Sequence, residues 1–397
     1  MNTEYHNVIL FGAGASFDAG IPLLNSFVHE MWNYAVRGKV RDVAISQEDR
    51  DILNQARTIC TGLESYNSRA NFDSRNLEDV LSLLSFEALS RKEHAEKYEA
   101  LVKAVARTIE LSCKIPYQEN TPKTPPNIGG YGHLWHKLLS IHASGNPLAL
   151  VTFNYDLVLE RSLWDLFHHL NSAAVKPSCN SCQLKYFFGN CAFSIKSVPH
   201  QYMVPRLNPE PARSFTEVGT AGRAAEFQTS ENVEVAIPFL KLHGSLNWSQ
   251  DPQHSQEVTR WTKAVEKPVI LPPVFNKMNT GAVNDLWGKA LDVLRNAKRI
   301  IIVGYSLPKT DIYMQYFLKA AVGPNSNLEK IIVFDPVLFR GDREADEMRA
   351  RYKECFANQI LKSIVFNPKS MGDHNSGCLS HFSALLRAYP KELLFYP

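Results

Sequence analysis

The chain has 397 residues, 45% of them apolar and 21% charged, with a formal net charge of +3. That length holds one large α/β domain with insertions, or two domains, and the composition is ordinary for a soluble globular protein. The charge balance gives no global electrostatic case for nucleic acid or a membrane surface, and no apolar run approaches the roughly 20 residues that span a bilayer. The polar start, Met1 to His6, leads directly into an apolar segment and leaves no place for a signal peptide. Seven cysteines, an odd number spread along the chain, fit reduced thiols in a cytoplasm better than a disulfide framework.

The first element is an apolar run over residues 7–11, read as a buried strand. It enters Gly12-Ala13-Gly14-Ala15-Ser16 and then Gly20-Ile21-Pro22, and a helical pattern runs from Leu23 to about Val36. A strand, a glycine turn and a helix in that order open the dinucleotide site of a doubly wound fold. Gly12-x-Gly14 is followed by Ser16 and Gly20, without the third glycine of the Rossmann fingerprint, so the turn alone is weak evidence. Helical patterns follow over 48–60, 76–89 and 93–113. Asn76 predicts an N-cap, and Leu77, Val80, Leu81, Leu84 and Leu89 form one apolar stripe, read as core or as a subunit contact. A Pro- and Gly-rich loop over 114–130 and a helix at 131–143 complete a helical insertion spanning 25–144.

The second strand, 147–153, ends at Asn154-Tyr155-Asp156 and leads into a helix to about His169. Residues 171–235 lack sustained periodicity and predict an irregular insertion. Cys179, Cys182 and Cys191 there, with His200, offer a loose zinc spacing; free thiols are the alternative, and no metal is expected. Strands at 237–242, 268–271, 299–303, 330–334 and 361–366 then alternate with helices at 282–297, 310–321, 341–353 and 377–388. The expected fold is α/β: a doubly wound, Rossmann-like parallel sheet forming a single domain over 1–397, interrupted by the helical and irregular insertions. Ligands of such sheets bind beyond the carboxyl ends of the strands. Gly12, Gly14, Ser16, Asn154, Asp156, His243, Gly304, Ser306 and Asp335 all fall there. Each also has a plain structural reading. Asn154 could cap a helix, Asp156 could serve its first turn, Asp335-Pro336 could be turn chemistry, and a histidine after a strand is often structural.

Four short motifs in order carry a resemblance. Gly12 to Ser16 with Gly20-Ile21-Pro22, then Thr152-Phe153-Asn154-Tyr155-Asp156, Leu242-His243-Gly244 and Gly304-Tyr305-Ser306-Leu307 resemble the sirtuin signature. The Phe-Asn-Tyr-Asp, Lys-Leu-His-Gly-Ser-Leu-Asn-Trp and Val-Gly-Tyr-Ser-Leu-Pro wording resembles one branch, the sirtuin-like NADase domains of prokaryotic antiphage systems. That resemblance implies an NAD glycohydrolase releasing nicotinamide and ADP-ribose in abortive infection. It implies a homo-oligomer and a separate sensor, a HerA-type ATPase first and an Argonaute second. A deacylase, an ADP-ribosyltransferase and a non-catalytic NAD or ADP-ribose sensor are the alternatives. Ser245-Leu246-Asn247-Trp248 stands where a deacylase carries Phe-Gly-Glu, and the paired Cys-x-x-Cys of the sirtuin zinc ribbon is missing after His243.

Within that resemblance Asn154, His243 and Asp156 are the expected catalytic residues. Asn154 would hold water or ribose without adding charge. Asp156 would stabilise developing positive charge, and His243 would accept a proton from a ribose hydroxyl or water. Ser16 and the amides of Ala13, Gly14 and Ala15 would bind pyrophosphate together with Gly12. Gly304 and Ser306 would touch phosphate or ribose, and Asp335 would accept from the adenosine ribose.

Overall fold

The computed structural model describes residues 5–68, 70, 72–115, 129–143, 146–168, 181–185, 192–199, 213–218, 235–249, 263–271, 281–309, 311–367 and 378–388. In chain order β1 (Asn7–Phe11) turns through a 3-10 segment (Ala13–Ala19) into α1 (Leu24–Arg37). A short hairpin of β2 (Lys39–Val40) and β3 (Val43–Ala44) precedes α2 (Gln47–Gly62), α3 (Leu77–Glu87), α4 (Lys92–Ser112) and α5 (Gly129–Ala143). Then come β4 (Leu148–Thr152), α6 (Val158–His168), β5 (Ser181–Lys185), β6 (Ala192–Pro199), β7 (Arg213–Val218), β8 (Val235–Lys241), β9 (Gly244–Ser249) and β10 (Pro268–Ile270). The last third holds α7 (Gly281–Arg295), β11 (Arg299–Val303), α8 (Ile312–Val322), β12 (Lys330–Phe334), α9 (Arg343–Cys355), α10 (Asn358–Leu361), β13 (Ile364–Phe366) and α11 (Cys378–Ala388).

Nine strands form one sheet in the order β13-β12-β11-β1-β4-β8-β5-β6-β7. From β13 to β5 every pairing is parallel; β6 and β7 add antiparallel edges. β1, β4 and β11 are buried along their whole length, which is why each reads as an unbroken apolar run. β1 lies between β11 and β4 in flush register, Asn7 opposite both Arg299 and Leu148. The chain builds outward from β1 through β4 and β8, then crosses back to lay β11, β12 and β13 on the other side. The reversal falls between β1 and β11.

The structure departs from the sequence reading in the second insertion. Within 171–235, expected to be irregular, β5, β6, β7 and the first residue of β8 extend the main sheet. In Ala192–Pro199 only Phe193-Ser194-Ile195-Lys196 alternates before Ser197 breaks the pattern, a signal too short to read and isolated by loop-forming sequence. Cys182 pairs with Ile195 across β5 and β6; Cys179, Cys191 and His200 lie outside the described residues. In the helical insertion Asn76 caps α3, its Oδ1 accepting from Glu78 and Asp79 amides. The stripe is shorter than expected. Leu77, Val80, Leu81 and Leu84 are buried, but Leu89 lies beyond the helix and is 79% exposed. Among the described residues no helix is long and apolar enough to cross a membrane.

Candidate functional site

The two glycine turns meet at the sheet's reversal point. The Gly12 amide donates to Val303 O and the Gly14 amide to Gly304 O, each at 2.9 Å. Gly304 has φ +66, and a Cβ on it would lie 2.4 Å from Ala15 N and 2.6 Å from the Gly14 carbonyl carbon. A Cβ on Gly12 would meet Gly304 O at 2.5 Å. These glycines are therefore required for one backbone to pass against the other. The arrangement corrects one expectation. The Gly14 amide is spent on Gly304, and the Ala15 amide donates to Gly12 O at 2.9 Å. Those two are not turned outward to a pyrophosphate, whereas Ala13 is exposed at the start of the 3-10 segment. Tyr131 of α5 donates to Ala15 O at 2.8 Å, and Asp18 accepts from the Ser380 amide and hydroxyl of α11. The loop is thus clamped from behind.

Asn154 reaches back onto this loop from the end of β4. Its Nδ2 donates to Gly12 O at 2.9 Å and to Ser16 Oγ at 2.8 Å, and its own amide donates to Thr152 Oγ1. It does not cap α6. Asp156 lies just before α6, its Oδ1 accepting from the Val158 amide at 3.0 Å. A small cavity with mixed walls, with room for about one water, adjoins these groups. Phe11, Ser16, Thr152, Asn154, Glu160 and Lys241 are among its walls.

His243 follows β8 and is 5% exposed. Its ring sits among Phe153, Tyr155 and Trp287, at centroid distances of 5.3, 6.2 and 6.1 Å. Gly244 after it has φ +89, and a Cβ there would strike Val269 O at 2.1 Å, because β10 folds back over the turn. Leu271 N donates to His243 O, and Tyr155 Oη donates to Leu271 O at 2.7 Å, tying the histidine's backbone to the Asn-Tyr-Asp turn.

The remaining candidates line the other side. Ser306 is exposed, and its carbonyl accepts from Arg351 Nε. Asp335 begins the 3-10 turn Pro336–Phe339, its Oδ1 accepting from the Val337 amide at 3.0 Å while the Asn367 side chain brackets its backbone. Burial raises the Asp335 carboxyl above its ordinary range. The structure thus joins Gly12, Gly14, Ser16, Asn154 and Gly304 in direct contact and sets Asp156 in the same cavity wall. It links His243 to them through Phe153 and Tyr155. Asp335 stands one strand further out, its contacts running to Val337 and Asn367.

Sequence reasoning missed two groups. Lys241 and Glu160, each 1% exposed, form an ion pair at 2.8 Å, and Lys241 Nζ also donates to Asp156 O. Burial raises the Glu160 carboxyl, opposed by the Lys241 charge. Only the i, i+4 step from Asp156 to Glu160 hinted at this. Among the described residues no cluster of three or more His, Cys, Asp or Glu is placed to hold a metal ion.

Parallel strands that reverse direction of growth between β1 and β11, with glycine turns and polar strand ends at the reversal, define an α/β fold of the doubly wound, Rossmann-like class. No protein-family model matches the chain, and no curated protein matches it. Solved structures with similarity are a Sir2 homologue bound to NAD, at 14% identity and a TM-score of 0.30, and two mutants of a Sir2 homologue bound to ADP-ribose. The histidine-to-asparagine mutant has 14% identity and a TM-score of 0.29; the serine-to-alanine mutant has 13% and 0.30. Each comparison covers 88% of this chain and 91% of the other.

Proposed function

We propose that this protein hydrolyses NAD at the nicotinamide–ribose bond, releasing nicotinamide and ADP-ribose. The observation that carries the reading is the Asn154 amide bonded to both Gly12 O and Ser16 Oγ. It brings a neutral polar side chain onto a glycine loop at the sheet's reversal point, with His243 at the next strand end. In the proposed step the C1′–N bond breaks and its electron pair stays on the departing nicotinamide nitrogen, which loses its positive charge. A water oxygen bonds to C1′, and the proton it sheds passes to His243. The pyridinium leaves without acid help, so the protein's task is orientation and tolerance of positive charge at C1′. Asn154 orients ribose or water through Oδ1, since its two N–H groups are held by Gly12 O and Ser16 Oγ; Asp156 offers negative charge near C1′, and the exposed Ala13 with the Ser16 hydroxyl takes the phosphates. Gly304 and Ser306 border the same path, and Asp335 accepts from the distal ribose. Nicotinamide release by the purified protein, with and without an acetylated peptide, tests the reading. Release that requires the peptide would assign a deacylase instead, and ADP-ribose left on protein would assign a transferase.

We further propose that the activity serves antiphage defence in the cytoplasm and is gated by a separate protein, a HerA-type ATPase before an Argonaute. The helical insertion would build the homo-oligomer. The motif wording supports this, as do the exposed Phe86 in the last turn of α3 and the exposed Leu89 just beyond it. Light scattering after size exclusion, with and without the partner, tests it. A monomer whose activity ignores the partner would refute it.

A further inference from the structure

The Asn-Tyr-Asp turn between β4 and α6 is irregular backbone at a strand end, and one neighbouring segment, 241–246, donates to the carbonyls of Tyr155 and Asp156 and of Thr152 just before them. Leu242 N donates to Thr152 O and Leu246 N to Tyr155 O, both at 2.9 Å. The third tie is a side chain, Lys241 Nζ on Asp156 O. Glu160, one helical turn beyond Asp156 on α6, holds that ammonium at 2.8 Å. Lys241 stands two residues before His243, and Asn154 two residues before Asp156. One buried ion pair therefore fastens the segment carrying His243 to the turn carrying Asn154.

Stability alone does not account for the pair. Two ions at 1% exposure carry a desolvation cost that their attraction seldom repays, and apolar residues of similar volume usually hold a fold as well or better. Phe239, Leu159 and Phe11 already line the same cavity and could have enclosed an apolar filling. What an apolar pair cannot do is donate to Asp156 O. We propose that Lys241 and Glu160 are positioning residues that set Asn154 against Gly12 and Ser16 and fix its distance from His243. The kinetic part of this proposal rests on the NAD-hydrolase reading; the geometric part does not.

The test uses the full chain carrying Lys241→Met with Glu160→Leu, and separately Glu160→Gln, which keeps an acceptor for Lys241. Two signals are read: the Asn154 side-chain amide resonances with their hydrogen exchange, and kcat and KM for nicotinamide release. The double variant is expected to unfold at a temperature no lower than the parent. Its Asn154 amide should shift and exchange faster, and kcat should fall about 10²-fold with KM within about threefold. Glu160→Gln should keep the Asn154 signal and most of kcat. A folded double variant with unchanged Asn154 resonances overturns the proposal. Should the double variant not fold, Lys241→Arg keeps the charge but moves the contact point, and unchanged Asn154 resonances in it overturn the proposal equally. Absence of nicotinamide release from the parent protein would refute the hydrolase reading instead, while the resonances still decide the positioning role.

Discussion

Gly304→Ala is the sharpest probe of how the two glycine turns are joined. The substitution has two costs that can be separated. The backbone at φ +66 is left-handed, which costs a residue with a Cβ about 1–2 kcal/mol. The new methyl also lands 2.4 Å from Ala15 N and 2.6 Å from the Gly14 carbonyl carbon. Both are backbone atoms of a clamped loop, so relief needs a displacement of about 1 Å, and overpacking of that kind costs about 1–3 kcal/mol. The sum is about 2–5 kcal/mol. Gly341→Ala is the matched control. Its φ is +65, yet nothing lies within 4 Å of a Cβ there, so only the conformational cost of about 1–2 kcal/mol remains. Urea unfolding of the two variants measures the difference, expected to be about 1–3 kcal/mol in favour of Gly341→Ala. A loop moved by 1 Å should also slow nicotinamide release about 10²-fold in Gly304→Ala alone. Equal stability of the two variants would refute the close-approach argument.

Three further outcomes are expected. Asn154→Ala loses two hydrogen bonds, worth about 2 kcal/mol of stability, and His243→Ala leaves the fold intact; both should abolish nicotinamide release, and near-parental release by either would remove that residue from the mechanism. Burial holds the His142 imidazole below its ordinary value of 6.5, so the folded state binds fewer protons than the unfolded state just below that pH. Stability should be full above 6.5 and fall as the pH drops beneath it, and His142→Gln should flatten the fall in thermal midpoint between about pH 7 and 5; an identical fall in both proteins would exclude His142 as its source. Chelators should leave the thermal midpoint unchanged, and a stoichiometric zinc lost on chelation would reverse the reading of Cys179, Cys182 and Cys191.

The legible parts of the fold were those whose burial is continuous. Strands at 7–11, 299–303 and 330–334 coincide with β1, β11 and β12, because a parallel strand covered on both faces is an uninterrupted apolar run. β9 escaped notice because Ser245 and Asn247 look like loop residues. In the structure they are buried, and Ser245 Oγ donates to Asn247 Oδ1 at 2.6 Å. Strands β5 to β7 are hidden by the loop-forming sequence around them. At the site, residue types and strand-end positions were readable, but their partners were not. Asn154 and Gly12 are 142 residues apart, and Lys241 and Glu160 are 81 apart. No local spacing encodes such pairings. The same limit explains the two misassigned loop amides, since only the approach of Gly304 reveals that the Gly14 amide is occupied.

The central claim is that the chain itself breaks the nicotinamide–ribose bond without an acyl substrate. The most direct measurement is the purified protein incubated with NAD alone, with nicotinamide and ADP-ribose quantified by chromatography beside the Asn154→Ala variant. The two products are expected in equal amounts from the parent and not at all from the variant. Nicotinamide formed equally by both proteins, or formed by the parent only when an acetylated peptide is added, would contradict it.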